Sequence, residues 1–343
     1  METILVKITP EDSGSAYKDA AQLLKENQVV GIPTETVYGL GGNAFSEEAV
    51  KRIFEAKGRP QDNPLIVHIS EFDEIYELVS QVPDTARLLA EKFWPGPLTM
   101  ILPKSDKVPL CVTGGLGTVA VRCPSHPVAN RLIRETGLPI AAPSANLSGK
   151  PSPTRASHVY SDMNGRIPMV IDGGDCAEGV ESTVITLATP VPKLLRPGNI
   201  TISQLRQALG QVDVDDAVLN PLKSGERVSS PGMKYKHYSP DADIVVLCGE
   251  YKAFCDYVNQ RKSDDTYAMV FDGEGDGLAV PCITYGTSGN YKELSHALFD
   301  SLRLLDEKGA RVCFVRCPDR SNDDNLAVLN RLLRAASFKV VEL

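Results

Sequence analysis

Between residues 211 and 240 the chain reads QVDVDDAVLNPLKSGERVSSPGMKYKHYSP, a polar, turn-rich stretch without sustained periodicity. So long a break is unusual inside one compact domain, and reads as a linker or a functional lid. It divides the 343 residues into an expected first domain at 1–210, a linker/lid at 211–240 and a smaller second domain at 241–343. Before the break, helical apolar periods are expected at 16–27, 47–57, 84–93 and 126–136. Buried-strand patterns are expected at 28–33, 65–69, 98–103, 118–123, 139–143, 168–172 and 182–187. Ser46 suits an N-cap, and Thr201 with Gln204 forms a capping-box signature for a helix to about 209. Several strands follow one another without a helix, so a mixed open sheet is predicted rather than a parallel one. After the break, strands at 243–247, 267–271 and 311–317 alternate with helices at 251–260, 293–308 and 324–336. That series predicts a Rossmann-like, three-layer α/β unit.

Composition narrows the function classes. No apolar run approaches the ~18–20 residues of a membrane span. The N-terminal METILVKITPEDSGS carries no signal-peptide core, so a cytoplasmic location is expected. The eight cysteines are scattered without a CxxC pair, which predicts buried free thiols; Cys313 and Cys317 should share one face of a strand. A net charge of −8 argues against a dedicated nonspecific nucleic-acid binder. Residues 101–170 nevertheless hold eight Lys/Arg against three acids. Such a stretch is either a solvated face or the surround of an anionic ligand.

The chemistry-bearing residues concentrate in a few motifs. Residues 31–68 hold Thr34-Glu35-Thr36, Tyr38-Gly39-Leu40-Gly41, Lys57-Gly58-Arg59, Asn63-Pro64 and His68. Small hydroxyls, fixed cations and glycines this close together suit a pocket for a phosphorylated ligand beside a small polar one. Lys57 at a helix end could simply complement the helix dipole, with Gly58 as the stop. Arg59 is displayed on a segment stiffened by Pro60 and Pro64, and its planar fork can grip two phosphate oxygens. Thr118, Ala120 and Arg122 fall on one face of a strand, where an arginine calls for an anion or a salt bridge. Ser144, Asn146 and Ser148 lie on a loop after a buried strand, where open α/β sheets often bind ligands; local side-chain turns are the alternative. Ser182-Thr183 and Arg196-Pro197-Gly198 are weaker signals, and His68 alone would fit a core histidine. No Walker-type phosphate loop is present, and Gly114-Gly115-Leu116-Gly117 precedes a strand, unlike a dinucleotide fingerprint. No catalytic triad, carboxylate pair or metal-ligand cluster stands out, and no metal site is predicted.

Taken in order, PTETVYGLG, KGRP, NPL, GTVAVRCP, APSAN, ESTV and LRPG resemble the YrdC-domain family, specifically its long two-domain threonylcarbamoyl-AMP synthases. The resemblance spans about residues 14–200, and the SSPGMKYKHYSP linker and α/β tail match the long form. It implies an open twisted sheet with a concave, positively charged cavity. It also implies synthesis of L-threonylcarbamoyladenylate and pyrophosphate from L-threonine, bicarbonate and ATP, for tRNA modification beside the anticodon by further proteins. On that resemblance Thr36, His68, Arg122, Ala142 and Ser182 contact threonine. Arg59, Asn63, Thr118, Ser144, Asn146, Ser152, Arg196 and Tyr235 contact ATP, with Lys57 and Arg59 stabilising charge and Mg²⁺ arriving with the nucleotide. Direct contact with tRNA is expected to be weak.

Two other readings compete: a carbamoyl-adenylate-forming module of hydrogenase maturation, and an RNA-binding protein. The first normally carries cysteine-rich zinc-finger-like repeats, which this chain lacks. The second is disfavoured by the acidic net charge and the absence of an aromatic stacking motif. If the 211–240 segment is a lid that shields the reactive adenylate from water, deleting 230–240 while keeping both domains cuts product yield. Unchanged yield removes the lid idea.

Overall fold

The computed structural model describes residues 2–9, 11–12, 14–61, 63–221 and 238–343. The first strands are β1 (Ile4–Lys7), β2 (Val30–Ile32), β3 (Gly39–Asn43), β4 (Ile66–His68), β5 (Leu98–Pro103) and β6 (Thr118–Arg122). They are followed by β7 (Ile140–Ala141), β8 (Met169–Asp172), β9 (Thr183–Thr186), β10 (Lys193–Arg196) and β11 (Asp213–Val214). All belong to one mixed sheet in the order β1-β8-β2-β3-β7-β4-β6-β5-β9-β10-β11. β4 runs parallel to β6 and antiparallel to β7, while the helix-free connections β2–β3 and β9–β10 give antiparallel pairs.

Alternation along the central strands separates two faces. Val67, Val119 and Val121 enter the main core with the helix side chains Val50, Ile53 and Phe54. Their neighbours Ile66 and Ala120 instead join Ile101, Val184 and Leu195 in a small apolar cluster on the other face. That second face is the floor of the site described below.

Local chemistry explains the helix ends. Glu47–Lys57 starts at Ser46, whose hydroxyl accepts from the Ala49 amide at 3.2 Å, and stops at Gly58 with φ +63°. The Thr201/Gln204 capping box forms as expected and opens the helix Ile202–Leu209.

β3 was not anticipated. Its GLGGN sequence reads as a mobile turn, because glycine suppresses the strand signal, yet it pairs antiparallel with β2 and β7. β11 carries the large sheet past the expected boundary at 210, pairing parallel with β10.

The second sheet comprises β12 (Asp243–Cys248), β13 (Thr266–Val270), β14 (Cys282–Thr284), β15 (Val312–Arg316) and β16 (Val340–Glu342). Its order is β14-β13-β15-β12-β16 and every pair is parallel. Both faces are covered: Leu247, Ala268 and Phe314 pack on Phe254 and Val258, while Val246, Met269 and Val315 pack on Leu298, Leu302 and Val328. The three-layer expectation holds, with β14 and β16 as short additions too brief to show a pattern. The Cys313 thiol is buried, and Cys317 lies just past the strand against the same core cluster. All eight cysteines are free, but Cys282 is exposed rather than buried as expected.

The two parts share a core. Val37 and Val180 of the first pack into the cluster that holds Phe299 and Leu302 of the second, together with Tyr238 at the end of the linker. Gly179, at φ +78°, lies so close to the helix Tyr291–Glu307 that a Cβ there would stand 2.3 Å from the His296 Cα. Only glycine permits that approach. Among the described residues no helix is long and apolar enough to cross a membrane.

Candidate active site

Over the face of β4, β6 and β9 that carries Ile66 lies a cleft whose empty space, counting its open mouth, is about 680 Å³. Nine of the expected residues line it: Thr36, Arg59, His68, Arg122, Ala142, Ser144, Asn146, Ser182 and Arg196. Sheet register accounts for the grouping. His68 on β4 pairs directly with Arg122 on β6, and β7 on the opposite side of β4 delivers Ala142 and the Ser144 loop. The segment before β3 is zipped to that loop, with a bridge between Gly39 and Ser144 and the Ala145 amide donating to the Tyr38 carbonyl at 2.8 Å.

Arg122 is the most constrained side chain of the cleft. Its Nε donates to the Gly96 carbonyl at 3.2 Å and Nη1 to the Thr36 hydroxyl at 2.8 Å. Nη2 lies 2.7 Å from a carboxylate oxygen of Glu35, in an ion pair 4% and 8% exposed. Burial, the largest single influence, raises the Glu35 carboxyl; the Arg122 charge, its hydrogen bond and nearby backbone amides together outweigh it and hold the group below the usual carboxylate range. A guanidinium has five N–H donors, so these three contacts fix its plane and leave donors for a ligand carboxylate. His68 is pulled down to about 3, first by burial and then by Arg122, so its imidazole is neutral at physiological pH. It can hydrogen-bond a ligand without adding charge beside the guanidinium.

On the far wall, Arg196 donates from Nε to the Ser182 carbonyl at 3.0 Å and from Nη2 to the Ser182 hydroxyl at 3.1 Å. That hydroxyl also meets Thr99 Oγ1 at 2.7 Å. Burial draws Arg196 down to about 10, which leaves it charged at neutral pH. Gly198 makes this wall possible, because a Cβ there would stand 2.5 Å from the Thr183 amide nitrogen.

Four expected contacts do not line the cleft: Lys57, Asn63, Thr118 and Ser152. Lys57 is turned inward, its ammonium donating to the carbonyls of Ser144 and Asn146 and to the Asn146 Oδ1. It braces the loop that Ser144 and Asn146 present to the cleft. Ser152 donates to the Glu181 carboxylate, and Asn63 is buried under the turn at Gly114. Tyr235, the expected linker contact, lies outside the described residues, as does most of the expected lid. The basic stretch 101–170 does not surround the cleft: of its eight cations only Arg122 lines it. Others are engaged elsewhere, Arg155 with Asp300 and Arg166 with the Ala56 carbonyl.

Residues 22–198 match the Sua5–YciO–YrdC family, described as "Telomere recombination", and residues 200–337 match a family described as "Threonylcarbamoyl-AMP synthase, C-terminal domain". Threonylcarbamoyl-AMP synthases of Pyrococcus abyssi and Bacillus subtilis are 43% and 46% identical to it, covering 99% and 94% of this chain and 99% and 93% of theirs. The chain belongs to the threonylcarbamoyl-AMP synthase family. A crystal structure of P. abyssi Sua5 complexed with L-threonine superposes with a TM-score of 0.93 at 42% identity, covering 99% of this chain and all of that one. Escherichia coli YciO, at 23% identity and a TM-score of 0.52 over 57% of this chain, shares the first domain's fold alone.

For a threonylcarbamoyl-AMP synthase, the polar cleft residues Thr34, Glu181 and Tyr238 stood in quoted sequence but were given no role. Thr34 bonds Thr36 hydroxyl to hydroxyl at 2.9 Å. Glu181 and Tyr238 also line the cleft. Glu181 stands in the quoted ESTV motif, and an acid beside Ser182 in an otherwise apolar strand entry was the available signal. Tyr238 stands in the KYKHYSP end of the quoted linker, where nothing local in sequence distinguishes it from Tyr235.

Proposed function

We propose that this protein joins L-threonine, bicarbonate and ATP into L-threonylcarbamoyladenylate, releasing pyrophosphate, for transfer to a tRNA adenosine by further proteins. One observation carries the reading: a single cleft sets the Arg122–Thr36–His68 group against Arg196 and Arg59 across an apolar floor. The first group fits a small zwitterion, with Arg122 for its carboxylate and hydroxyls and a neutral imidazole for its amine and side-chain hydroxyl. Ala142 lies against its methyl, and Ser182 stands between the two halves. Arg59 and Arg196 supply fixed charge for the polyphosphate of Mg·ATP, and Ser144 and Asn146 supply hydrogen bonds.

The chemistry then needs positioning more than a protein nucleophile. The threonine amine adds to the carbon of CO2 and loses a proton, or displaces water from bicarbonate, to give a carbamate. A carbamate oxygen attacks the α-phosphorus, the bond from that phosphorus to the bridging oxygen breaks, and pyrophosphate leaves with the electron pair. Charge growing on the phosphate oxygens faces Arg59 and Arg196. Pyrophosphate release by the full chain, assayed with each substrate omitted in turn, tests this. Release is expected only when L-threonine, bicarbonate and Mg·ATP are all present. ATP-independent, salt-sensitive RNA retention without turnover would replace the synthase with a binding protein.

A further inference from the structure

Among the described residues Arg331 has the largest fully buried side chain, and it does not belong to the domain that forms the cleft. It sits on the helix Leu326–Ala335 of the second domain and reaches into the first. Its Nε donates to the Glu181 carboxylate at 3.0 Å, Nη2 to the Glu181 carbonyl at 3.3 Å, and Nη1 to the Pro197 carbonyl at 2.6 Å. Nη1 is held in turn by its neighbour Asn330 at 3.1 Å. These acceptors directly precede Ser182 and directly follow Arg196, the pair that forms the far wall. One guanidinium from outside therefore clamps both strands of that wall.

The charges add a second argument. Glu181 lines a cleft built for an anionic ligand, where a bare carboxylate would repel phosphate and compete for Arg196. Its oxygens are instead occupied by Arg331 and Ser152, while Arg196 bonds the neutral carbonyl and hydroxyl of Ser182. Arg331 also stands over the ring of Tyr238, 5.8 Å from its centroid, which roofs the same corner.

We propose that Arg331 is a positioning residue of the adenylating site: it neutralises Glu181 so that Arg196 keeps its charge for the nucleotide, and it fixes the register of Ser182 against Arg196. The second domain is thereby a structural part of the ATP half of the cleft. This rests on the reading that Arg196 meets the ATP phosphates. Steady-state kinetics on the full chain test it, comparing wild type with R331Q, R196Q, the neutral pair E181Q/R331Q, and R303Q. Arg303 is the control, because it also joins the domains from a buried position, through Asp162 at 2.8 Å and the Pro151 carbonyl, without touching Glu181.

R331Q is expected to raise the KM for ATP about tenfold or more, the scale set by breaking a buried charge pair, with the KM for L-threonine changed less than about twofold. E181Q/R331Q should return the ATP KM to within about threefold of wild type, since the unanswered carboxylate is gone. R303Q should lower the melting temperature without splitting the two KM values. If R331Q leaves the ATP KM unchanged while R196Q raises it, the positioning role is wrong and the site reading stands. If neither moves it, the site reading itself falls. Should R331Q fail to fold, the neutral pair decides: a wild-type-like ATP KM supports the proposal, and an ATP KM raised tenfold overturns it.

Discussion

Arg122→Met is expected to remove L-threonine-dependent pyrophosphate release by roughly 10²- to 10³-fold, because a buried charge-assisted contact to a carboxylate is worth about 2–5 kcal/mol. It should also destabilise the fold by about 3–5 kcal/mol, since Glu35 would keep its carboxylate in a buried site without a counter-charge. The two effects separate in the double variant E35Q/R122M. Removing both charges should restore most of the lost stability, measured by urea unfolding, while L-threonine use stays lost. If the double variant is as unstable as R122M, the ion pair is not the source of the stability. If R122M turns over normally, Arg122 does not hold the substrate carboxylate.

The second large effect is expected at Lys57, where the structure departs from the sequence expectation. Lys57→Met leaves the Ser144 and Asn146 carbonyls without their donor, at about 1–3 kcal/mol for each buried group left unsatisfied. The loop that presents Ser144 and Asn146 loses its brace, so adenylate formation should drop roughly 10²-fold through disordered positioning. A pH signature accompanies this. Burial first, and the Arg59 charge second, draw the Lys57 ammonium down to about 7. Between about pH 7 and the ordinary lysine value the unfolded chain binds more protons here than the folded one, so this site makes folding more favourable as pH rises. Below pH 7 both states carry the proton and the burial cost is constant. The unfolding free energy of wild type relative to K57M should therefore climb between pH 7 and 9, at up to about 1.4 kcal/mol per pH unit. A flat difference over that range means the buried ammonium keeps its normal proton affinity.

The contrast between Arg122 and Lys57 shows what sequence could and could not convey. Arg122 was legible because strand alternation put it on one face with Thr118 and Ala120, and a cation on a buried strand needs an anion. The same alternation places Ile66 and Ala120 on the cleft floor. Lys57 was legible as a helix-end cation, but the direction of a long side chain depends on which carbonyls the distant Ser144 loop brings within reach, and no local pattern carries that. Glu35 and Glu181 went unselected for a related reason: their importance lies in partners 87 and 150 positions away, Arg122 and Arg331. Most helices of eight residues or more were readable from periodicity and caps, such as Glu47–Lys57 and Asp84–Phe93, but Ala156–Met163, which has no side-chain cap, was not anticipated. Among the shorter strands, β2, β4 and β7 were readable as buried apolar runs, whereas β1, β11, β14, β16 and the glycine-built β3 were not, because their pairing is decided by neighbours across the sheet.

The clamp by Arg331 has a consequence for how such a gene could be shortened. A lineage that discarded the second module in one step would inherit a hydrophobic corner with a stranded negative charge at position 181, and Val37 and Val180 would be laid bare to water. The second module is thus not freely detachable: removing it calls for compensating changes at position 181 and on the greasy surface it covers.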